Sequence, residues 1–475
     1  MFFATHLIDG KEIEGTAEMF YSYNPATEEI FGKARTADEN DVGRAVKVAR
    51  QSLSEWRRTS IDERAEILLE MTKILDSKRK QMKELITSEV GKPLSESEDE
   101  INSVIKETKW MATKGIEYLQ DEEVNLETSD YKGMLRYEAL GVVGVISVWN
   151  FPIGIPTWAI TPALLTGNSV VFKPSELSTI VGHELVKIYH EAGIPKNVLN
   201  LILGKAKTGR YLVESNIDMI SFTGSSLVGK EIASKGGGSL KKVVLELGGS
   251  DPAIICEDAD IEKTVSGLIT GRYYNCGQCC SADKRFFVDQ KISDQFIDAF
   301  VEAANKLKVG NPMEDGVSMG PIVSFEQLNN LESQVKDAKN NGATILTGGR
   351  KQSDFQRGYF YLPTVMIRAN ERMRVLKEEV FGPVVPVVVT KNIDDAIEQA
   401  NNTQYGLGAS VWSNDIEKAN EISKKLECGS VRINDTLIVF PQVSYGGVKE
   451  SGIGRGLSKH GLWEFCNIKS IMIKN

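Results

Sequence analysis

The chain has 475 residues, enough for two or three domains with large cores, which excludes a single small module. Hydrophobic residues make up 41% and charged residues 25%, with 42 glycines and 14 prolines, a profile that excludes a disordered or fibrous chain. Lys and Arg total 56 against 65 for Asp and Glu, a net charge of -9; that field repels polyphosphate and anionic lipid, so nucleic acid and membrane surfaces are poor partners.

The start, MFFATHLIDGKEIEG, carries no basic n-region, long apolar run or small-residue cleavage site, so no export signal is expected. After this strand-like opening, three long segments between 38 and 120 place apolar residues at helical spacing, and Ser60 with Glu63 forms a capping-box pattern. Residues 121–139 are polar and strand-like. From Gly141, the apolar runs VVGVISVWN, NSVVFKP, VLNLILG, MISFTG and KKVVLELGG alternate with amphipathic stretches. That rhythm predicts an α/β fold with a doubly wound parallel sheet, because strands covered on both faces read as continuous apolar runs. The most apolar stretch, Ala139 to Phe172, is broken by Asn150, Pro152, Pro156, Pro162 and Asn168; it reads as a buried strand, turn and helix rather than a membrane span. A second βα series begins near Pro252, placing a domain boundary at Gly248-Gly249. The C-terminal CNIKSIMIKN is one alternating strand without a sequence neighbour, free to pair with 121–139 or with another subunit.

Doubly wound sheets bind nucleotides at the carboxyl ends of their strands, yet no Gly-x-Gly-x-x-Gly follows any expected strand. Gly224 to Lys230 matches a P-loop until Glu231 replaces the magnesium-binding hydroxyl. What remains is a Gly/Ser turn into a helix, whose free N–H groups either hold a pyrophosphate or simply close a turn.

Six cysteines, three of them crowded into Asn275-Cys276-Gly277-Gln278-Cys279-Cys280, cannot brace the whole chain with disulfides, and a reducing, cytoplasmic setting is expected. Cys276 and Cys279 have Cys-x-x-Cys spacing but neither a second pair nor a nearby His, so no metal site is expected. A nucleophilic cysteine needs a base and an oxyanion donor. His183 and His190 sit seven apart on one expected helix as partly exposed residues, and His460 lies in a Gly-rich tail. A carboxylate is the better base: Glu246, inside the apolar strand VVLELGG, either turns to solvent or is desolvated in a cleft, where its pKa rises.

Together, WNFP (149–152), KPSE (173–176), FTGS (222–225), LELGG (245–249), NCGQCC (275–280), EEVFGP (378–383) and GGVKESG (446–452) resemble the aldehyde dehydrogenase superfamily. The resemblance covers nearly the whole chain. It implies an NAD(P)-binding domain (1–120 and 140–248), an α/β catalytic domain (249–449) and a small β oligomerisation hairpin (121–139 and 450–475). The implied assembly is a homodimer or homotetramer.

The resemblance makes Cys280 the nucleophile, with Asn150 donating to the oxyanion and Glu246 activating the water that releases a carboxylic acid. Trp149, Lys173, Glu176, Gly224, Ser225, Glu379 and Phe381 become the cofactor contacts. Phe151, Trp158, Cys279, Ser281 and Phe440 become the substrate pocket. An acidic Glu176 near the ribose disfavours a 2′-phosphate, so NAD is expected, with NADP open through Lys173. Gly456 stands where the family usually has Glu, which leaves Glu246 with less support; Cys279 in place of an Arg disfavours phosphorylated substrates. A small hydroxyaldehyde, semialdehyde or arylaldehyde is expected. The alternatives are a CoA-acylating relative and a noncatalytic structural member.

Overall fold

A computed structural model describes residues 1–127 and 130–475; Thr128 and Ser129, within the strand-like 121–139 segment, lie outside the described residues. The expected helical region holds Glu39–Trp56, Ile61–Ser77, Arg79–Val90 and Leu94–Thr113. These are four helices rather than three, because the chain turns at Lys78 and again at Gly91, whose φ of 92° ends the third helix. The capping box forms: Glu63 N–H donates to Ser60 Oγ at 3.2 Å and Ser60 N–H to Glu63 Oε2 at 2.8 Å. Helix Leu94–Thr113 buries Ile101, Val104 and Met111, and on the same side Glu96, Glu100 and Glu107.

The first large sheet has a parallel centre in the order Lys242–Glu246, Met219–Thr223, Val142–Ile146, Ser169–Lys173, Leu199–Leu201. The chain builds outward from Val142–Ile146 to Leu199–Leu201, then returns to place Met219–Thr223 on its other side. The connections therefore diverge between Val142–Ile146 and Met219–Thr223, which opens a crevice beyond their carboxyl ends. The segments leaving those ends are 147–153 and 224–225. The interrupted apolar stretch is indeed strand Val142–Ile146, helix Gly154–Leu165 and strand Ser169–Lys173, and among the described residues no helix is long and apolar enough to cross a membrane.

Between Asp251 and Ile433 the strands form a second sheet, in the order Thr344–Thr347, Thr364–Ile367, Val384–Thr390, Asp283–Asp289, Asp251–Ile255, Gly408–Trp412, Ser430–Ile433. It is parallel except at its Thr344–Thr347 edge. Each sheet packs its own apolar cluster, one around Leu164, Phe172 and Leu185, the other around Phe286, Phe296 and Phe300. The two strands without sequence neighbours pair with each other: Tyr131–Ala139 runs antiparallel to Cys466–Lys474 over its whole length. Lys469 Nζ reaches Glu138, 331 positions away, and Tyr137 stacks on Trp463 at 5.5 Å. Gly452–Ile453 instead joins the first sheet, antiparallel to Leu245 and Glu246.

Candidate active site

Cys280 lies on the loop between helix Ile261–Tyr273 and strand Asp283–Asp289. Three consecutive residues there are left-handed, Asn275 (φ 51°), Cys276 (φ 56°) and Gly277 (φ 71°). For Cys276 that conformation costs about 1–2 kcal/mol, whereas asparagine adopts it more readily, so the surroundings must hold it. Glu96 Oε2 accepts from Asn275 N–H at 2.9 Å, Gln278 N–H donates to Asn275 O at 3.0 Å, and Val323 N–H donates to Gln278 Oε1 at 2.9 Å. The buried Lys284 ammonium donates to the carbonyls of Cys279 (2.8 Å) and Cys280 (2.5 Å). Strain concentrated beside one half-buried thiol, Cys280, marks a built site. Cys276 and Cys279 are buried.

Asn150 is 1% exposed and is tied to that loop twice. Its Nδ2 donates to Gln278 O at 2.9 Å, and Asn275 Nδ2 donates to Asn150 O at 3.0 Å. An amide nitrogen carries two protons, so one is left for a ligand. The turn that carries Asn150 is gripped from helix Leu94–Thr113: Glu100 Oε1 accepts from Ile153 N–H (2.9 Å) and Gly154 N–H (2.8 Å), and Glu100 Oε2 pairs with Lys92 Nζ at 2.7 Å.

Glu246 ends its strand between Thr223 and Gly452. Among the described residues neither of its carboxylate oxygens has a hydrogen-bond partner, and both are buried. Burial pushes its pKa well above the usual carboxylate range, opposed by Arg455. Gly446, at φ 146°, passes so close that a Cβ there would lie 2.8 Å from Glu246 Oε1. The preceding residue, Tyr445, puts its hydroxyl 3.4 Å from Cys280 Sγ. Thiol, amide and carboxyl are thus linked through shared neighbours, Asn150 through Gln278 and Glu246 through the Tyr445-Gly446 segment. The adjacent thiols titrate together. Their mutual hydrogen bond, Ser281 and the Lys284 charge bring the first ionisation of the pair below the ordinary thiol range, and burial with the like charge drives the second above it.

The crevice side carries the cofactor candidates. Lys173 ends strand Ser169–Lys173, and its buried ammonium donates to Pro174 O at 3.0 Å; burial lowers its pKa and Glu176, half-buried on the next turn, opposes that. Gly224 N–H donates to Glu246 O at 3.0 Å, and Ser225 caps helix Ser226–Gly238. Glu379 Oε1 accepts from Gly249 N–H at 3.1 Å and lies 3.4 Å from Lys284 Nζ. Trp149 meets Phe381 edge-on at 5.5 Å. A buried ammonium with two protons to spare and a capped helix N-terminus at the carboxyl ends of the first sheet, with a carboxylate beyond Gly249, fit a dinucleotide. The P-loop-like Lys230 instead turns to Glu450 at 2.6 Å.

On the substrate side, Phe151 stacks on Tyr274 at 6.4 Å with Lys92 Nζ 4.1 Å from its ring. Trp158 donates its Nε1–H to Glu107 Oε2 at 2.5 Å and meets Tyr445 edge-on at 5.1 Å. Cys279 Sγ lies 3.6 Å from Ser281 Oγ. Phe440 is 44% exposed, with Lys106 Nζ 5.1 Å from its ring. His183 departs from expectation: it is buried, Nδ1 3.3 Å from Glu184 Oε1, while His190 bonds Leu199 O, so the two form no dyad.

Sequence reasoning missed Tyr445, Lys284 and the acids of helix Leu94–Thr113. Glu96, Glu100 and Glu107 hold the Asn275 loop, the Asn150 turn and Trp158 respectively, three walls of one pocket. Their signal was acids at helical spacing within the apolar face of Ile101, Val104 and Met111.

The aldehyde dehydrogenase family model matches residues 13–471. Aminoaldehyde dehydrogenase 1 of Pisum sativum is 36% identical, covering 94% of this chain and 91% of that one; the NAD(P)+ succinate semialdehyde dehydrogenase of Escherichia coli is 36% identical over 95% and 97%. Among solved structures, betaine aldehyde dehydrogenase of Staphylococcus aureus in complex with NAD+ superposes with a TM-score of 0.96 at 34% identity, over 99% of this chain and 97% of that one.

Proposed function

The chain belongs to the aldehyde dehydrogenase family and is an NAD(P)+-dependent oxidoreductase that turns an aldehyde into its acid; we propose that Cys280, Asn150 and Glu246 carry the reaction. The Cys280 thiolate adds to the aldehyde carbon, and the carbonyl π electrons become an oxyanion that accepts from the Asn150 amide and the Cys280 N–H. When bound, the nicotinamide would supply the hydride acceptor, and collapse of the oxyanion leaves the acyl group on Cys280 as a thioester. Glu246 then takes a proton from water as the hydroxide adds to the thioester carbon; the C–S bond breaks, and the acid leaves with Cys280 restored. Lys173, Glu176, Gly224, Ser225, Glu379, Phe381 and Trp149 hold the dinucleotide, with NAD favoured by the acid at 176.

One observation carries the reading: Glu246 keeps two buried, unpartnered carboxylate oxygens beside the segment whose Tyr445 touches Cys280. Buried groups left unsatisfied in a folded chain call for a ligand or a water. The relatives' names point to aminoaldehydes, betaine aldehyde and succinate semialdehyde. For this chain the aromatic wall of Phe151, Trp158 and Tyr445 supports a small non-phosphorylated semialdehyde, hydroxyaldehyde or arylaldehyde. Residues 131–139 and 466–474 form the surface for a homodimer or homotetramer, and the enzyme works in the cytoplasm. Stopped-flow measurement of nicotinamide reduction tests the roles. Glu246→Gln gives a burst equal to the active sites followed by slow turnover, and Cys280→Ala gives no burst; an unchanged steady state in Glu246→Gln overturns the base assignment.

A further inference from the structure

Tyr445 is held on every side. Its backbone exchanges two hydrogen bonds with Gly456, Tyr445 N–H to Gly456 O at 2.9 Å and Gly456 N–H to Tyr445 O at 2.7 Å. Its ring lies edge-on against Trp158, and the residue is 6% exposed. A phenylalanine would fill the same space and keep both contacts. The hydroxyl therefore has no packing reason to be there, and a buried hydroxyl costs free energy unless it is hydrogen-bonded. The partner the structure gives it is Cys280 Sγ at 3.4 Å, inside the range of a hydrogen bond to sulfur.

We infer that the Tyr445 hydroxyl is a catalytic donor to the Cys280 sulfur, holding it as the thiolate and aiming it before attack. The inference rests on Cys280 being the nucleophile. Burial, then the nearby Cys280, Cys279 and Glu246, push the Tyr445 pKa far up against the weaker pull of Arg432, so the phenol keeps its proton and acts as donor once the thiol has lost its own. The other groups facing the sulfur are Cys279 and Lys284. Lys284 is committed to the backbone carbonyls of residues 279 and 280, so Tyr445 is the donor with a hydroxyl at hydrogen-bond distance from the sulfur. Once the C–S bond forms, the sulfur is neutral and the bond to the hydroxyl weakens. The donor therefore acts on the free thiolate and on the thiolate leaving at deacylation.

Two consequences oppose each other and can be read separately. A charge-assisted bond to the anion raises the thiolate fraction about tenfold below the thiol midpoint, roughly one pKa unit. The same unit lowers the intrinsic nucleophilicity of the anion about threefold, because reactivity scales with basicity at a slope of 0.4–0.5. Iodoacetamide alkylation of Cys280 is followed by peptide mass against pH, without cofactor, in a Cys279→Ala background that removes the neighbouring thiol. Tyr445→Phe in that background raises the midpoint by about one unit, raises the alkaline plateau about threefold and slows reaction well below the midpoint about threefold. Thiolate absorbance at 240 nm, read on the same samples, moves with the midpoint. A midpoint and plateau that both stay put overturn the inference. If labelling of Cys280 leaves aldehyde oxidation intact, the nucleophile assignment itself falls, whichever way the midpoint moves.

Discussion

Lys92 and Glu100 are the deepest ion pair beneath the pocket, with side chains 0% and 1% exposed and a separation of 2.7 Å. Glu100→Gln keeps an oxygen for Ile153 and Gly154 N–H but leaves the Lys92 ammonium uncompensated in the interior. Breaking a buried pair from one side costs about 3–5 kcal/mol. At about 2.1 cal/mol/K of unfolding entropy per residue, the whole chain gains about 1 kcal/mol/K near its transition, so the thermal midpoint falls by roughly 3–5 °C. Lys92→Met costs a similar amount, since it removes the cation from Phe151 as well. The double variant costs less than the two together by about 2 kcal/mol, because neither charge is then stranded. Scanning calorimetry on the four proteins of this cycle reads the coupling directly. Additivity within about 0.5 kcal/mol would refute the claim that the pair acts as a unit.

Asn150→Ala lowers kcat by about 10²–10³-fold, the usual cost of losing one oxyanion donor; steady-state kinetics giving less than about a tenfold loss would remove Asn150 from that role. Burial pushes the Glu96 carboxyl up to about 8, while the unfolded chain releases that proton near its ordinary value. Between those points the folded state binds the extra proton, so stability is fullest on the acid side and is lost as pH rises toward 8. The thermal midpoint therefore drops from pH 5 to pH 8.5, and Glu96→Gln drops less; equal slopes in the two proteins would refute the assignment.

The parallel strands were legible because burial on both faces writes itself as unbroken runs such as VVGVI, and the Ser60 cap was legible because its two bonds span three residues. Of the residues proposed to carry the chemistry, Glu246 and the cysteine cluster stood out through residue type, an acid inside an apolar strand and three thiols within five positions, whereas Asn150 and the choice of Cys280 came from the family resemblance. What escaped depends on distance in sequence. Tyr445 meets Cys280 across 165 positions, and nothing local distinguishes it from a core aromatic. Glu96 and Glu100 share the helix face of Ile101 and Val104, but the donors they serve lie on the Asn275 loop and the turn after Asn150, far away in sequence. Phe440, which the resemblance put at the pocket, is 44% exposed.

The pairing of Tyr131–Ala139 with Cys466–Lys474 sets an order of events during synthesis. At 5–20 residues per second, the 331 positions between Glu138 and Lys469 take roughly 20–60 s to translate. Throughout that interval the earlier strand waits beside the ribosome with one ladder edge open, a template for any other extended segment. Its polar, charged character, with Lys132, Arg136 and Glu138 along it, keeps the nascent chain from finding the wrong mate before its own arrives.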